Sequence, residues 1–390
     1  MVNRLFYTAV FSILLIFAGC EKQTPVTPPE TLTTEEQIPA SEAEGFAKWQ
    51  FCQGSIRVMT RNVYVGTDLD SIYRVQDPNL IPEAVTWAVQ MMLSTNFSER
   101  AQAIAKEIAL GQPHLIGLQE ISLFRIQSPG DAVFGGTVPA EEIWFDYLDI
   151  LLNALQEKGL DYRVAGIIEN FDVEVPMVAG INPLSFDDVR LTDYDVVLAR
   201  NDVDVENVVT QNYQAYLPVP QFGVNIMRGY VAMDATVGGK TYRFVSTHLE
   251  SEGEPIRYAQ AEELVATLQN ETKPVILVGD LNTRAPGEPT YQYLLSQDFV
   301  DIWTRNLVPF NRDGYTAIHD PDLRNTTVKL DHRIDLVLVR TNKWRFNRQV
   351  IGPVLAFVVG DELRDRTPSG LWPSDHAGVI ARLQIPTEHN

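Results

Sequence analysis

The sequence predicts an α/β fold, a layered sandwich in which a pair of mixed or antiparallel sheets is flanked by helices. The chain has 390 residues, 45% of them apolar, which is enough for a sizeable core. Short β-branched runs alternate with helical patterns, but without a regular βαβ rhythm, and a hairpin signal lies between two of the runs. This mixture disfavours a doubly wound parallel sheet.

Seven short apolar segments have the length and β-branched content of buried or half-buried strands. They are residues 56–59, 115–118, 196–198, 231–233, 243–246, 275–278 and 334–339. The Val-Gly-Gly-Lys sequence at residues 237–240 predicts a hairpin turn between two of them.

Four segments predict helices. Residues 141–158 carry large apolar side chains three and four positions apart, and Gly159 follows as a stop signal. These side chains are Trp144, Tyr147, Leu148, Leu151, Leu152 and Leu155. Residues 98–110 and 259–268 show the same periodicity, and residues 82–93 predict an additional helix.

The N-terminus predicts a signal peptide over residues 1–19. A single charge, Arg4, precedes the apolar stretch 5–17, which is shorter than the ~20 residues of a membrane-spanning helix. The sequence Phe-Ala-Gly-Cys at residues 17–20 resembles a bacterial lipobox, with Phe17 in place of the usual leucine. We therefore expect Cys20 to be lipidated; the alternative is an ordinary signal peptide followed by an incidental cysteine.

Residues 20–45 are rich in Pro, Thr and Glu and predict a flexible tether. We expect a protein that is exported and anchored by lipid to the bacterial envelope, at the outer membrane or cell surface. A single catalytic domain, residues 46–390, would follow. If Cys20 carries lipid, Cys52 has no partner, so a disulfide framework is excluded.

The formal net charge is −20. Such a field repels polyanions and disfavours tight nonspecific binding of nucleic acid. It does not exclude a nuclease, because bound cations can neutralise a site and a few arginines can hold phosphates.

Short polar motifs follow the apolar runs across more than 300 residues. They are Asn62 in TRNVYVG, Glu120 in LIGLQE, His248 in FVSTHLES, Asp280 and Asn282 in VILVGDLNT, Asp335 in HRIDLVLV, and Asp375 with His376 in PSDHAG. Together they supply oxygen ligands for a hard divalent cation, a carboxylate with a nearby amide, and two imidazoles. This set of groups suits metal-assisted hydrolysis of a phosphoester.

The motifs LQE, THL, GDLN, RID and SDH, in this order, resemble those of the endonuclease/exonuclease/phosphatase superfamily. The superfamily includes pancreatic deoxyribonuclease, abasic-site endonucleases, neutral sphingomyelinases and inositol polyphosphate 5-phosphatases. The resemblance covers roughly residues 55–383. It implies a four-layered αββα sandwich and a divalent-cation-dependent phosphoesterase.

The resemblance assigns Glu120 as a direct metal ligand and Asp375 as a second candidate, for Mg²⁺ or Mn²⁺, with Ca²⁺ as a third possibility. Asp375 could equally orient an imidazole. Asn62 would bind a phosphate oxygen or a metal-bound water; an asparagine after a strand is otherwise a turn residue. Tyr64 stands where the family often has an acidic or amide group, which weakens the case for a second metal contact.

Asp280 and Asn282 are two positions apart, so on an extended strand their side chains would point the same way. Asp280 would then orient or deprotonate the attacking water while Asn282 holds a phosphate oxygen. The alternative is an Asx turn that ends the strand.

His376 would bind or protonate the phosphate, with Asp335 or Asp375 orienting an imidazole. His248 would stabilise charge in the transition state or protonate the leaving oxygen, as the resemblance implies. Arg228, in MRGYVAM, would contact phosphate; a surface salt bridge is the alternative. Because no Ser or Cys lies in a nucleophile motif, we expect direct attack of water.

The substrate is a phosphoester, with nucleic acid slightly ahead of phospholipid. A sphingomyelinase or phospholipase C would need an exposed apolar hairpin, for which residues 355–359 and 371–373 are candidates unless they form buried strands. An inositol-phosphate phosphatase would need clustered cations, and Arg324, Lys329 and Arg333 are sparse.

A non-catalytic binding lipoprotein is an alternative of another class. A degenerate copy should have lost one of four residues that this chain retains: Glu120, His248, Asp280 and His376. No obligate protein partner is inferred.

Overall fold

The computed structural model describes residues 54–307, 313–342, 344–345, 348–349 and 351–386. The strands are β1 Ile56–Asn62, β2 Leu115–Gln127, β3 Glu142–Asp146, β4 Tyr162–Ile181, β5 Leu184–Arg200, β6 Asp204–Asn212, β7 Leu217–Val219, β8 Val224–Ile226, β9 Gly229–Val237, β10 Lys240–His248, β11 Val275–Ala285, β12 Val300–Asp301, β13 Arg333–Arg340, β14 Trp344–Arg345, β15 Arg348–Gln349, β16 Val354–Val359 and β17 Gly378–Leu383. The helices are α1 Asp70–Tyr73, α2 Ile81–Ser94, α3 Phe97–Gly111, α4 Tyr147–Glu157, α5 Glu254–Thr267 and α6 Pro289–Ser296.

Two large mixed sheets form the centre of the fold. The first has the strand order β16-β17-β1-β2-β5-β4, with β3 paired to β2, and the second has the order β12-β13-β11-β10-β9-β6. Each sheet contains one parallel pair, β1 with β2 and β10 with β11, among antiparallel neighbours. The predicted sandwich of two mixed, largely antiparallel sheets is therefore confirmed.

The sheets pack face to face over an apolar core. The core includes Val58, Val197, Phe244 and Val278, all buried, because β-branched and aromatic side chains alternate inward along the strands. The sheets come close where Gly117 of β2 faces Ser246 of β10. A Cβ atom at Gly117 would lie 2.3 Å from Oγ of Ser246, so a larger residue would push the sheets apart beneath the polar strand ends.

Helices cover the outer faces of the sheets. Helices α5 and α6 place Leu264 and Leu294 in a second apolar cluster with Leu277 and Leu338 of the second sheet. On the first sheet, α3 packs against α4, and Phe97 stacks on Tyr147 with ring centroids 3.7 Å apart. The four-layered arrangement follows from these contacts.

All seven predicted strands and the hairpin turn are confirmed, the turn with positive φ at Gly238 and Gly239. The helices predicted over residues 82–93, 98–110 and 259–268 are also confirmed. The helix predicted over residues 141–158 was wrong in its first part. Residues 142–146 form β3 on the edge of β2, and the helix begins after Asp146, whose carboxylate caps it by accepting the N–H of Asp149.

Neither apolar segment proposed as an exposed hairpin is exposed as predicted. Residues 355–359 lie within β16, paired to β17, and Leu371 and Trp372 are buried. The buried-strand alternative was the correct reading for the first segment. The signal peptide, the tether, Cys20 and Cys52 lie outside the described residues, and in the described part no helix is both long and apolar enough to span a membrane.

Candidate active site

The parallel strand pairs bring the predicted motifs to one edge of the sandwich. Asn62, the last residue of β1, is in register with Gln119 of β2, next to Glu120. His248, the last residue of β10, is in register with Asp280 of β11. Since parallel strands end at the same edge, residues that follow them converge on one site.

Two irregularities in the sheets redirect the side chains at this edge. The pairing of β2 with β5 shifts around Glu120, which adopts a left-handed backbone with φ 60°. The pairing of β11 with β13 shifts after Asp280, and Asn282 has φ 48°. Bulges of this kind turn a side chain away from the regular alternation of a strand.

This geometry corrects the expectation for Asn282. Its backbone is not extended, and its N–H donates to Oδ1 of Asp280 at 3.0 Å, so an Asx turn is present. Its side-chain amide donates to the carbonyl of Leu249 at 2.9 Å. The turn fixes the Asp280 carboxylate instead of aligning the two side chains.

Asn62 joins two of the predicted site carboxylates. Its Nδ2 donates to Oε1 of Glu120 at 2.7 Å and to Oδ2 of Asp280 at 3.1 Å, while its Oδ1 accepts the N–H of Tyr64 at 2.9 Å. Asn62 is thus a turn residue and a site residue at once. Tyr64 itself is turned away, and its hydroxyl donates to the carbonyl of Pro321.

His376 is held by a carboxylate. Its Nδ1 lies 2.9 Å from Oδ2 of Asp335 and 3.7 Å from Oδ2 of Asp280. Of the two carboxylates expected to orient an imidazole, Asp335 is the one that contacts this ring. Burial alone would lower the pKa of His376, but Asp335 and Asp280 raise it well above its usual value.

His248 faces Asp280 from the other side. Its Nε2 lies 3.7 Å from Oδ2 of Asp280, and its Nδ1 lies 3.0 Å from Nη1 of Arg228. Because a guanidinium only donates, Nδ1 of the neutral ring accepts from Arg228, and the proton is on Nε2, towards Asp280. Burial and Arg228 lower the pKa of His248, but Asp195 and Asp280 raise it above its usual value. Arg228 is buried and its Nε is 3.6 Å from Oε2 of Glu250, so its salt bridge is not at the surface.

Two carboxylates of the site were missed in the sequence. Asp193 and Asp195 lie on one face of β5, and Oδ1 of Asp195 is 3.5 Å from Nδ1 of His248. Both carboxylate oxygens of Asp195 lack a hydrogen-bond partner among the described residues. Burial, reinforced by Asp195, raises the pKa of Asp193 to about 7. The available signal was two acidic residues at alternate positions directly before the apolar run 196–198.

Two buried arginines hold the loops of the site and were also missed. Arg100 of α3 donates to the carbonyls of Thr95, Tyr64 and Pro373 at 2.8–3.1 Å and to that of Val63 at 2.5 Å. Arg61 of β1 donates to the carbonyl of His376 and, at 2.9 Å, to Glu107 of α3. The loops after β1 and before β17 are thereby tied to one helix.

One group of donor atoms at this edge could hold a divalent cation. Ligand atoms of Asp280, Asp335 and His376 lie within 4.8 Å of one another, and Oδ1 of Asp335 has no hydrogen-bond partner among the described residues. Glu120 and Asp375 are the metal ligands that the motifs predict, and burial with the negative charge of Glu120 raises the pKa of Asp375 to about 7. A cation between Glu120 and Asp375 would relieve this repulsion.

The site contains buried carboxylates, two imidazoles and the Asn62 amide, which donates to two of the carboxylates. This set of groups is typical of a phosphoesterase hydrolase. The model of the endonuclease/exonuclease/phosphatase family matches residues 85–376, so the chain belongs to this family. Enzymes of the family depend on divalent metal ions. No curated protein sequence matches the chain significantly.

Several solved structures are similar to this chain. A family member from Bacteroides thetaiotaomicron is 15% identical, with 86% of this chain and 96% of that chain covered and a TM-score of 0.50. A mannosyl-6-phosphatase from the same species is 16% identical, with 84% and 99% covered and a TM-score of 0.48. A truncated Caenorhabditis elegans TDP2 is 17% identical, with 84% and 97% covered and a TM-score of 0.47.

Proposed function

We propose that this protein hydrolyses phosphodiesters by direct attack of water at a divalent-cation site. The observation that carries the proposal is the position of Asp280 between two imidazoles. Its Oδ2 lies 3.7 Å from Nε2 of His248 and 3.7 Å from Nδ1 of His376, and it accepts from the Asn62 amide. A carboxylate held in this way can receive a proton from water while a neighbouring ring donates one.

Asp280 would act as the base that orients and deprotonates the water. Burial alone would raise the pKa of its carboxyl, but His376 and His248 hold the pKa below its usual value, so Asp280 stays ionised at neutral pH. The attacking oxygen forms the new bond to phosphorus as the ester oxygen leaves.

The two imidazoles would take complementary roles. His248, with its proton on Nε2, would donate to the leaving oxygen. His376, kept protonated by Asp335, would bind a phosphate oxygen. Asn282 and Arg228 would provide further hydrogen bonds to the phosphate, although both also hold protein partners.

Glu120 and Asp375 would hold Mg²⁺ or Mn²⁺, with Ca²⁺ as a third candidate. The bound cation would neutralise charge on the phosphoryl oxygens. Asn62 and the N–H of Val65, which donate to the Glu120 carboxylate, would fix the orientation of that ligand.

For the substrate, nucleic acid is the leading candidate on the motifs, with phospholipid second. The apolar hairpins expected of a phospholipase are buried, which removes that support. An apolar cavity next to the site supports phospholipid as the second candidate substrate. An inositol-phosphate phosphatase lacks support, because Arg333 is buried against Asp301 and Lys329 pairs with Asp320.

We also propose that residues 1–19 direct export, that Cys20 carries lipid and that residues 20–45 tether a catalytic domain, residues 46–390, to the envelope. The lipobox-like sequence and the composition of the tether support this arrangement. If the Cys20→Ser variant of the full chain partitions with membranes as the wild type does, the lipid anchor is wrong.

The test of function uses the full-length protein with plasmid DNA and with bis(4-nitrophenyl) phosphate in Mg²⁺. Both substrates are expected to be cleaved, and Asp280→Ala and His248→Ala should each lower turnover at least ~100-fold while the circular dichroism spectrum is unchanged. Asp298→Ala, a change of an exposed aspartate, is the matched control. Turnover near wild type in the Asp280 variant would overturn the assignment, and a non-catalytic binding protein would cleave neither substrate.

A further inference from the structure

An apolar cavity of about 50 Å³ lies between helix α2 and the β4–β5 hairpin. Val85, Val89 and Met92 of α2 line one wall, and Val189 and Leu191 of β5 line the opposite wall. Most of the lining is aliphatic or aromatic. Cavities with such walls stay dry and bind apolar groups, whereas a polar cavity of this size would hold ordered water.

The cavity lies next to the active site along one face of β5. Alternate residues of a strand share a face, and on this face Val197 belongs to the core between the sheets. Next come Asp195 and Asp193 beside His248, and then Leu191 and Val189 in the cavity wall. Each step is about 7 Å, so the cavity begins one step beyond the site carboxylates.

On three neighbouring segments, too, a residue that lines the cavity lies close to a residue of the active site. Phe171 of β4 lines the cavity and is in register with Asp193. Ile226 lines the cavity two residues before Arg228, and Phe124 of β2 lines it four residues after Glu120. The apolar walls of the cavity and the polar site are therefore neighbours along the fold.

Two aromatic residues mark the solvent side of the cavity. Tyr73 at the end of α1 and Phe222 before β8 are half-buried, and their rings meet edge to face with centroids 6.4 Å apart. Val189 and Leu191 at the opposite wall are buried. The cavity thus leads from a partly exposed aromatic pair to the interior beside Asp193.

We propose that this cavity binds an apolar substituent of the phosphoester substrate while the phosphate lies at Asp280 and the two histidines. The inference rests on the proposed function and narrows its substrate to a phosphodiester with one alkyl, acyl or other apolar arm. Since a water-sized group needs about 10–15 Å³, the cavity has room for a chain of about four carbons. A longer arm would extend past Tyr73 and Phe222.

The test compares methyl, butyl, hexyl, octyl and decyl esters of 4-nitrophenyl phosphate with the full-length protein in Mg²⁺. In each case water adds to phosphorus, the bond to the nitrophenyl oxygen breaks, and 4-nitrophenol and the alkyl phosphate are released. Once the chain is long enough to reach the cavity, we expect kcat/KM to rise about fourfold per methylene group, which is the effect of burying one CH₂, or about 60-fold for three methylene groups.

Two variants that fill the cavity are expected to remove this dependence. Ala88→Leu and Val89→Phe each add carbon atoms to its wall, so the ratio of the decyl to the methyl rate should fall towards one. Gln90→Leu adds a leucine at an exposed position of the same helix and should retain the wild-type ratio. Thermal unfolding identifies any variant that fails to fold. If one of the two filling variants does not fold, the rate ratio of the other one tests the proposal.

A wild-type decyl-to-methyl ratio near one, with normal hydrolysis of the methyl ester, would overturn the cavity proposal and leave the phosphodiesterase intact. A rising series that both filling variants leave unchanged would also overturn it. If the protein cleaves none of these substrates, neither the alkyl esters nor bis(4-nitrophenyl) phosphate nor plasmid DNA, the proposed function is wrong, and this inference with it.

Discussion

The side-chain amide of Asn62 lies 2.7 Å from Oε1 of Glu120, so the first strand of the fold donates a hydrogen bond to the predicted metal ligand. The same nitrogen donates to Asp280. One neutral group therefore separates two negative charges and fixes their spacing.

Replacement of Asn62 by alanine is expected to lower kcat/KM about 10- to 100-fold. Hydrogen bonds to charged groups contribute about 1.5–3 kcal/mol, and without the amide the two carboxylates would repel each other directly. The measurement is hydrolysis of bis(4-nitrophenyl) phosphate at saturating Mg²⁺. Asn153→Ala removes an exposed asparagine and serves as the control; equal rates for both variants would contradict the role.

Removal of the divalent cation is expected to abolish hydrolysis and to lower the melting temperature. A ligand present at about 100 times its Kd stabilises the native state by about 2.7 kcal/mol. Titration of Mg²⁺ after chelation should therefore raise the melting temperature of the wild type and much less that of Glu120→Gln. The exposed Glu142→Gln variant is the control. An undiminished shift in Glu120→Gln would remove Glu120 from the metal site.

Replacement of Asp335 by asparagine is expected to shift the alkaline limb of the kcat profile to lower pH. Burial lowers the pKa of His376 and the Asp335 charge raises it, so loss of that charge lowers the pKa and His376 loses its proton sooner as pH rises. A neighbouring charge typically changes a pKa by about one unit or more. The rate profile between about pH 5 and pH 10 measures the shift; an unmoved limb would mean that His376 need not be protonated.

Replacement of Arg100 by lysine is expected to lower both the free energy of unfolding and the affinity for Mn²⁺. An ammonium group cannot reach the four carbonyls that the guanidinium joins, and the loss should be at least ~2 kcal/mol. Urea unfolding and calorimetric titration of Mn²⁺ measure the two effects. Arg163→Lys is matched, because Arg163 also donates to backbone carbonyls, those of Arg200 and Val203. It should lose stability but keep its Mn²⁺ affinity.

His114 is expected to make the fold less stable in mild acid. Burial, with the positive charges of Arg200 and Arg57, lowers the pKa of His114 to about 3. The unfolded chain binds this proton near pH 6.5, so the contribution to stability is present above that pH and is lost as pH falls. Between pH 6.5 and pH 5 the loss is about 1.6 kcal/mol. The pH dependence of urea unfolding should flatten in His114→Asn and not in His332→Asn.

Local patterns in the sequence were sufficient for seven of the seventeen strands and three of the six helices in the described residues. The strand segments and three of the helices were predicted from the spacing of apolar residues, because this spacing depends on the local conformation of each segment. The segment around Trp144 failed, since its spacing fits a helix but pairing with Phe124 and Arg125 places it in a sheet. Partners distant in sequence decided that conformation.

The candidate site was predictable where a motif directly follows a strand. Glu120, His248 and Asp280 were located in this way, whereas His376 lies in the loop before β17 and was identified by its motif alone. Asp195 was missed because its role depends on the contact of β5 with His248, which belongs to the other sheet. Arg100 was missed because a charged residue in a helix ordinarily faces solvent.

The hydrogen bond from Arg61 to the carbonyl of His376 joins residues 315 positions apart, and β1 lies between β2 and β17 in the first sheet. During synthesis, β1 therefore leaves the ribosome long before its second neighbour exists. At about 5–20 residues per second, one side of this strand remains unpaired for on the order of 20–60 seconds. An unpaired strand edge is a template for aggregation, so biogenesis should depend on a chaperone that shields the nascent chain until the last strand is complete.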